Sequence, residues 1–170
     1  MLLEGRPGVG KSTVAERLIA MLREARVPVS GFLTGEIREG RRRVGFRIET
    51  AAGEQGTLAH VGYRGPPRVG KYGVDLEEFE RVVLPSLEDA PEGGVVVIDE
   101  LGRMELASKR FRDAVEALFE RDTPLVATVH AHRHPLTDEL KRRGDVRVER
   151  VTRGNRDALP EQILALLGLG

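Results

Sequence analysis

The chain has 170 residues, 40% of them hydrophobic, and 27 basic side chains balanced by 27 acidic ones. That length buries one sizeable core and is short for two, so a single domain over residues 1–170 is expected. The balance excludes a one-signed field that would draw the protein to nucleic acid, membrane or acidic ligands. There is no cysteine, which removes disulfides, thiolate metal sites and a cysteine nucleophile. Residues Met1 to Gly5 are too short and too soon interrupted for a signal peptide, and no apolar run approaches the roughly 20 residues of a membrane span. A soluble, cytoplasmic protein is expected, with the monomer favoured. The basic residues divide into 23 arginines and 4 lysines, a bias from which no function follows.

In chain order, Leu2 and Leu3 lead into a glycine-rich turn, after which Val14, Leu18, Met21, Leu22 and Ala25 recur at helical spacing. Val27 to Ile37 and Val44 to Thr50 are rich in Val, Ile, Phe and Thr around a turn at 38–43. This predicts an antiparallel hairpin, with Thr57 to Val61 as a third strand. Asp75 is placed to cap a helix whose Glu78 would complete a capping box and whose Leu76, Phe79, Val83 and Leu87 share a face. The unbroken apolar run Val95-Val96-Val97-Ile98 predicts a strand buried on both faces. A helix from Ser108, a strand from Leu125 to Val129, a short helix from Leu136 to Arg143, a strand from Val146 to Val151 and a final helix through Leu167 complete the pattern. Strands alternating with helices imply a mostly parallel sheet covered on both faces, with the hairpin added to it.

Two motifs carry chemistry. Gly5-Arg6-Pro7-Gly8-Val9-Gly10-Lys11-Ser12 satisfies the phosphate-loop pattern between an expected strand and an amphipathic helix. Its glycines let the backbone wrap a phosphate, its amides point inward, and the helix adds its positive dipole end. Lys11 is expected on the β and γ phosphates, Ser12 on a magnesium ion, and Thr13 at the α phosphate or as a bystander. At the end of the buried strand, Asp99 is the second expected magnesium partner. Glu100, directly after it, is placed to orient and polarise an attacking water, which favours hydrolysis over phosphoryl transfer to an acceptor.

These motifs, with Gly31-Phe32-Leu33-Thr34, Arg42-Arg43-Val44-Gly45-Phe46, Val69-Gly70-Lys71-Tyr72, Val74-Asp75, the run Asp99-Glu100-Leu101-Gly102-Arg103-Met104-Glu105-Leu106, Thr152 and Asn155-Arg156, give a resemblance across almost the whole chain. The sequence resembles the small P-loop nucleoside-triphosphatases of the cancer-related nucleoside-triphosphatase type, a RecA-like variant of the P-loop fold. The resemblance implies slow, magnesium-dependent hydrolysis of several nucleoside triphosphates, ATP and GTP among them, with broad tolerance of the base. It also implies a nucleotide site that includes Leu101, Gly102, Arg103, Met104 and Glu105. Only four residues precede Gly5, so the first strand is expected to be short beside those of the family.

Several positions are open to two readings. Arg103 and Glu105 either line the phosphate site, with Arg103 as an internal arginine finger, or stand on an exposed loop. Thr128 either senses the γ-phosphate or is a satisfied strand threonine. Asn155 and Arg156 are expected near the base, with Arg156 stacking on it. His130, His132 and His134 suggest zinc, but no fourth ligand is near and Pro135 fits a loop. Arg41-Arg42-Arg43 is either an RNA contact or a solvated turn. Beside the hydrolase stand two alternatives: a nucleotide or nucleoside kinase, and a nucleotide-dependent switch that binds RNA or a protein.

Overall fold

In the computed structural model, which describes residues 1–130 and 132–169, the chain opens on a three-residue strand, β1 (Leu2–Glu4), followed by α1 (Lys11–Glu24). Next come β2 (Val29–Glu39), β3 (Arg42–Thr50), β4 (Gln55–His60) and two short strands, β5 (Arg68–Val69) and β6 (Tyr72–Val74). Helix α2 (Leu76–Glu88) leads to β7 (Val95–Leu101), a 3-10 turn at Glu105–Ala107 and α3 (Lys109–Phe119). The chain ends with β8 (Leu125–Val129), α4 (Pro135–Leu140), β9 (Val148–Arg150) and α5 (Leu159–Leu166).

Among the described residues these strands form one nine-stranded sheet in the order β5-β6-β4-β3-β2-β7-β8-β1-β9. From β2 to β9 the pairing is parallel, as the RecA-like resemblance implies, while β3, β4, β6 and β5 extend the β2 edge antiparallel. The added part thus contains the expected hairpin and third strand, with β5 and β6 beyond them. β5 and β6 are too short to leave a periodic signal in sequence, so only their pairing reveals them.

Alternation along β7 divides the core. Val95 and Val97 face α1 and α5 with Leu3, Val14, Leu18 and Ile163. Val96 and Ile98 face α2, α3 and α4 with Phe32, Phe79 and Phe111. Successive side chains of a strand point to opposite faces, so an apolar run like this one requires helices on both. The three phenylalanines meet edge to face with ring centroids 5.1 to 5.8 Å apart.

Some local expectations shift. Asp75 caps α2 by accepting from Glu78 N at 3.0 Å, but Glu78 turns its carboxylate to Arg81 rather than back to the cap, so the capping box is half formed. The helix expected to reach Arg143 ends at Leu140, where Arg143 swings away to ion pairs with Glu120 and Asp145. The strand expected over 146–151 pairs only from Val148 to Arg150. Ser108 caps α3 as its sequence suggests, accepting from Phe111 N at 3.0 Å.

Because Phe79 is fully buried in the aromatic cluster, Phe79→Ala is expected to cost about 3–5 kcal/mol of stability. Urea unfolding followed by circular dichroism measures this; a loss below about 1 kcal/mol would mean that the cluster is not an organising contact.

Candidate functional site

Four segments converge at the C-terminal edge of the parallel strands: the loop after β1, the ends of β7 and β8, and the turn after β9. Open α/β sheets bind ligands at this edge. The loop from Gly5 to Gly10 delivers the chain into α1 with Gly10 at φ 110°, a left-handed conformation open chiefly to glycine. No side chain caps α1, and its first turn holds no acidic residue. The leading amides are therefore free to bind an anion.

Lys11 is 7% exposed and folds back along the loop, its Nζ donating to Gly5 O at 3.1 Å and lying 3.8 Å from Glu100 Oε2. Asp99 is 1% exposed. Its Oδ1 accepts from Thr128 Oγ1 of β8 at 2.6 Å and its Oδ2 from Thr34 Oγ1 of β2 at 3.4 Å. Burial pushes the Asp99 carboxyl above its ordinary value, and the Thr128 and Ser12 hydroxyls together with the Lys11 charge draw it back. β8 lies between β1 and β7, and that position is what brings Thr128 against Asp99. Thr128 is therefore a buried threonine with its hydroxyl committed to a carboxylate.

The β7–β8 register is irregular between Ile98 and Leu101, and the Asp99–Glu100 peptide, which is cis, lies in that stretch. Burial raises the Glu100 carboxyl, Lys11 lowers it and Asp99 adds to the rise. Gly102 packs under this pair: a Cβ there would stand 2.7 Å from Glu105 Oε2 and 3.1 Å from Glu100 Oε1. Glu105 is buried in the 3-10 turn, and its carboxyl is pushed up to about 8, first by burial and then by the charges of Glu100 and Asp99.

A cavity of about 360 Å3 opens over the loop, lined by Pro7, Gly8, Lys11 and Ser12, by Thr34, Gly35 and Glu36 of β2, by Arg43 and Phe46 of β3, and by Glu100 and His130. A second cavity, of about 720 Å3, also meets the loop, through Gly5, Arg6 and Val9, and extends to Arg150, Thr152 and Arg153.

The remaining expected residues scatter more widely. Arg103 is exposed, Leu101 is in the core, and Met104 packs half-buried against it. Neither Arg103 nor Glu105 lines the phosphate cavity, and Thr13 is exposed on α1. Asn155 spends its amide on the turn itself, accepting from Thr152 N at 2.7 Å and donating to Arg150 O at 2.8 Å. Arg156 donates to Val9 O at 3.3 Å and lies against Gly10, where a Cβ would meet its Cδ at 2.9 Å. The three histidines do not converge. His134 caps α4 through Leu136 N, while His130 accepts from His132 N and the two rings stack 4.3 Å apart. Among the described residues no cluster of three or more potential metal ligands forms, so the zinc arrangement is not built.

Thr34, Glu36, Arg43, Phe46 and His130 enter the cavity although the sequence did not single them out for the phosphate site. The alternation Phe32–Thr34 puts Thr34 on the Phe32 face of β2, but only the pairing of β2 with β3 and β7 shows where that face leads.

An uncapped helix start after a glycine loop, with a buried lysine and a buried aspartate on a nearby strand, defines a P-loop nucleotide-binding domain. A magnesium ion fits the donor set, since the Ser12 hydroxyl lies beside the buried Asp99 carboxylate, which among the described residues forms no ion pair. Comparison with known proteins narrows the class. The family profile described as NTPase matches residues 1–164. Nucleoside-triphosphatase THEP1 of Thermotoga maritima is 40% identical over 168 residues, covering 98% of this chain and 94% of that protein. The crystal structure of THEP1 from Aquifex aeolicus superposes with a TM-score of 0.88 at 34% identity, covering 98% of both chains. The solution structure of a human cancer-related nucleoside triphosphatase gives 0.85 at 40% identity over 98% and 96%. The chain belongs to this nucleoside-triphosphatase family.

Glu105 has a raised pKa when folded, so it binds a proton more tightly in the native state than in the unfolded one. Its contribution to stability is complete below about pH 4.5 and is lost as pH rises toward about 8. Glu105→Gln should therefore flatten the fall in stability across that window, by roughly 1 kcal/mol per pH unit. Urea midpoints measured from pH 5 to 8 read this directly; parallel profiles for parent and variant would refute the assignment.

Proposed function

We propose that this single-domain protein hydrolyses nucleoside triphosphates to nucleoside diphosphate and phosphate, with the phosphates on the Gly5–Ser12 loop. The observation that carries the proposal is the convergence of Lys11, Glu100 and the uncapped start of α1 on one cavity, with Lys11 and Glu100 3.8 Å apart. The loop amides and Lys11 neutralise phosphate charge where it develops. Glu100 holds the attacking water in line and takes its proton as the water oxygen bonds to the γ-phosphorus and the bond to the β–γ bridging oxygen breaks. Ser12 and Asp99 would hold a magnesium ion, which supplies charge neutralisation at the phosphate oxygens when bound.

The surroundings of the loop support tolerance of the base. The cavity beyond Arg6 and Val9 is bordered by arginines, Thr152 and Val151, and the Asn155 side-chain amide is committed to its own turn. Base recognition by stacking on Arg153 or Arg156 would admit ATP, GTP and other triphosphates alike. No described helix is long and apolar enough to cross a membrane, and the balanced charge fits a cytoplasmic protein acting as a single copy on small nucleotides. The adjacency of Glu100 to Asp99 favours water over an acceptor hydroxyl, hence hydrolase over kinase.

Release of free phosphate from magnesium–ATP without any acceptor tests this. Lys11→Ala and Glu100→Gln are expected to lower kcat by about 100-fold or more, with Glu100→Gln keeping nucleotide affinity within about threefold. A parent protein that binds nucleotide yet releases no phosphate would overturn the hydrolytic reading.

A further inference from the structure

Hydrolysis of a phosphoanhydride spreads charge over the departing bridge oxygen and the equatorial oxygens of the γ-phosphoryl group, so a water-shielded site gains from a second fixed cation besides the loop lysine. The cavity over the loop contains one. Among the described residues that line it, the cations are Lys11 and Arg43, and Arg43 reaches it from β3, the strand that pairs with β2 on the antiparallel side of the sheet. Arg43 is held from three directions. Its Nε donates to Tyr72 Oη at 3.0 Å, its Nη1 donates to Glu36 Oε1 at 2.8 Å, and its guanidinium lies 5.0 Å from the centroid of the Phe46 ring. Such support fixes a planar donor without using all five of its N–H groups.

The pairing with Glu36 is also replaceable. Arg38 donates to the other Glu36 oxygen, so Glu36 keeps a cationic partner when Arg43 turns a donor toward an incoming phosphate. Both Arg43 and Arg103, the arginine that sequence proximity to Asp99 suggests, are exposed, the Arg43 side chain at 43%, but of the two only Arg43 lines this cavity.

We propose that Arg43 is the internal arginine of this enzyme, contacting the γ-phosphoryl group as the phosphoanhydride breaks, with Tyr72 and Phe46 holding it in place and Glu36 as its resting counterion. The inference rests on the hydrolytic reading above and adds to it a catalytic residue from the antiparallel extension of the sheet.

Steady-state phosphate release by the full chain tests it, with parent, Arg43→Ala and Arg43→Lys compared, alongside trapping of magnesium–ADP by aluminium fluoride. Arg43→Ala is expected to lose about 100-fold or more in kcat with KM within about threefold, to bind ADP as the parent does, and to lose the fluoride-dependent trap. Added guanidinium should restore part of its turnover, a rescue that a packing role would not give. Arg43→Lys keeps the stem and the charge and settles the matter if the alanine variant does not fold: it should turn over at least tenfold more slowly at parental KM, because an ammonium lacks the planar fork. Parental kcat in either variant, or an intact trap in Arg43→Ala, would overturn the assignment of Arg43 while leaving the hydrolase standing. A parent without phosphate release would remove the hydrolytic reading and this inference together.

Discussion

Asp99 lies 1% exposed at the end of β7, gripped by Thr128 from one neighbouring strand and Thr34 from the other. A carboxylate in that position is costly unless hydroxyls and cations surround it. Much of the local architecture supplies them. β8 inserted between β1 and β7 brings Thr128, β2 on the far side brings Thr34, and the loop after β1 brings Ser12 and the charge of Lys11. The strand order is therefore more than a way to bury valines. It is the arrangement that surrounds one buried acid with its partners and leaves a cavity in front of them.

The acids behind Asp99 form a graded set. Glu100 retains 26% side-chain exposure and a lysine 3.8 Å away. Glu105, fully buried and, among the described residues, without an ion-pair partner, has its carboxyl pushed up to about 8. Gly102 leaves room for this stacking, since a Cβ there would stand 2.7 Å from Glu105 Oε2 and 3.1 Å from Glu100 Oε1 and the carboxylates would have to shift. From Asp99 in β7 to Glu105 in the turn that follows, the chain thus carries three carboxyl groups, of which Glu100 lines the cavity.

Much of this was legible in the sequence, and the reasons differ by element. The loop Gly5–Ser12 is a local motif, and Val95 to Ile98 announces a strand buried on both faces; both depend on nearest neighbours along the chain, as does the Ser108 cap. The residues brought in by pairing were not legible. Arg43 sits in a run of three arginines that reads as a solvated turn, and only the β2–β3 register with the Tyr72 strand beyond it turns the side chain into the cavity. β5 and β6 are two and three residues long, too short for periodicity to register, yet β6 supplies the Tyr72 hydroxyl that holds Arg43. Asn155 adds a local contact that the sequence does not show: its position after the last strand suggests a base contact, and its side-chain amide bonds Thr152 and the Arg150 carbonyl within its own turn.

The proposed magnesium seat at the buried Asp99 and Ser12 is the feature on which tight triphosphate binding would depend. Calorimetric titration with a non-hydrolysable ATP analogue, with and without magnesium, for the parent and for Asp99→Asn measures this most directly. Magnesium is expected to raise the parent's affinity by at least tenfold, about 1.4 kcal/mol, while Asp99→Asn should bind the magnesium-free analogue as the parent does but show none of that gain. A full magnesium-dependent gain in Asp99→Asn would contradict the proposed seat.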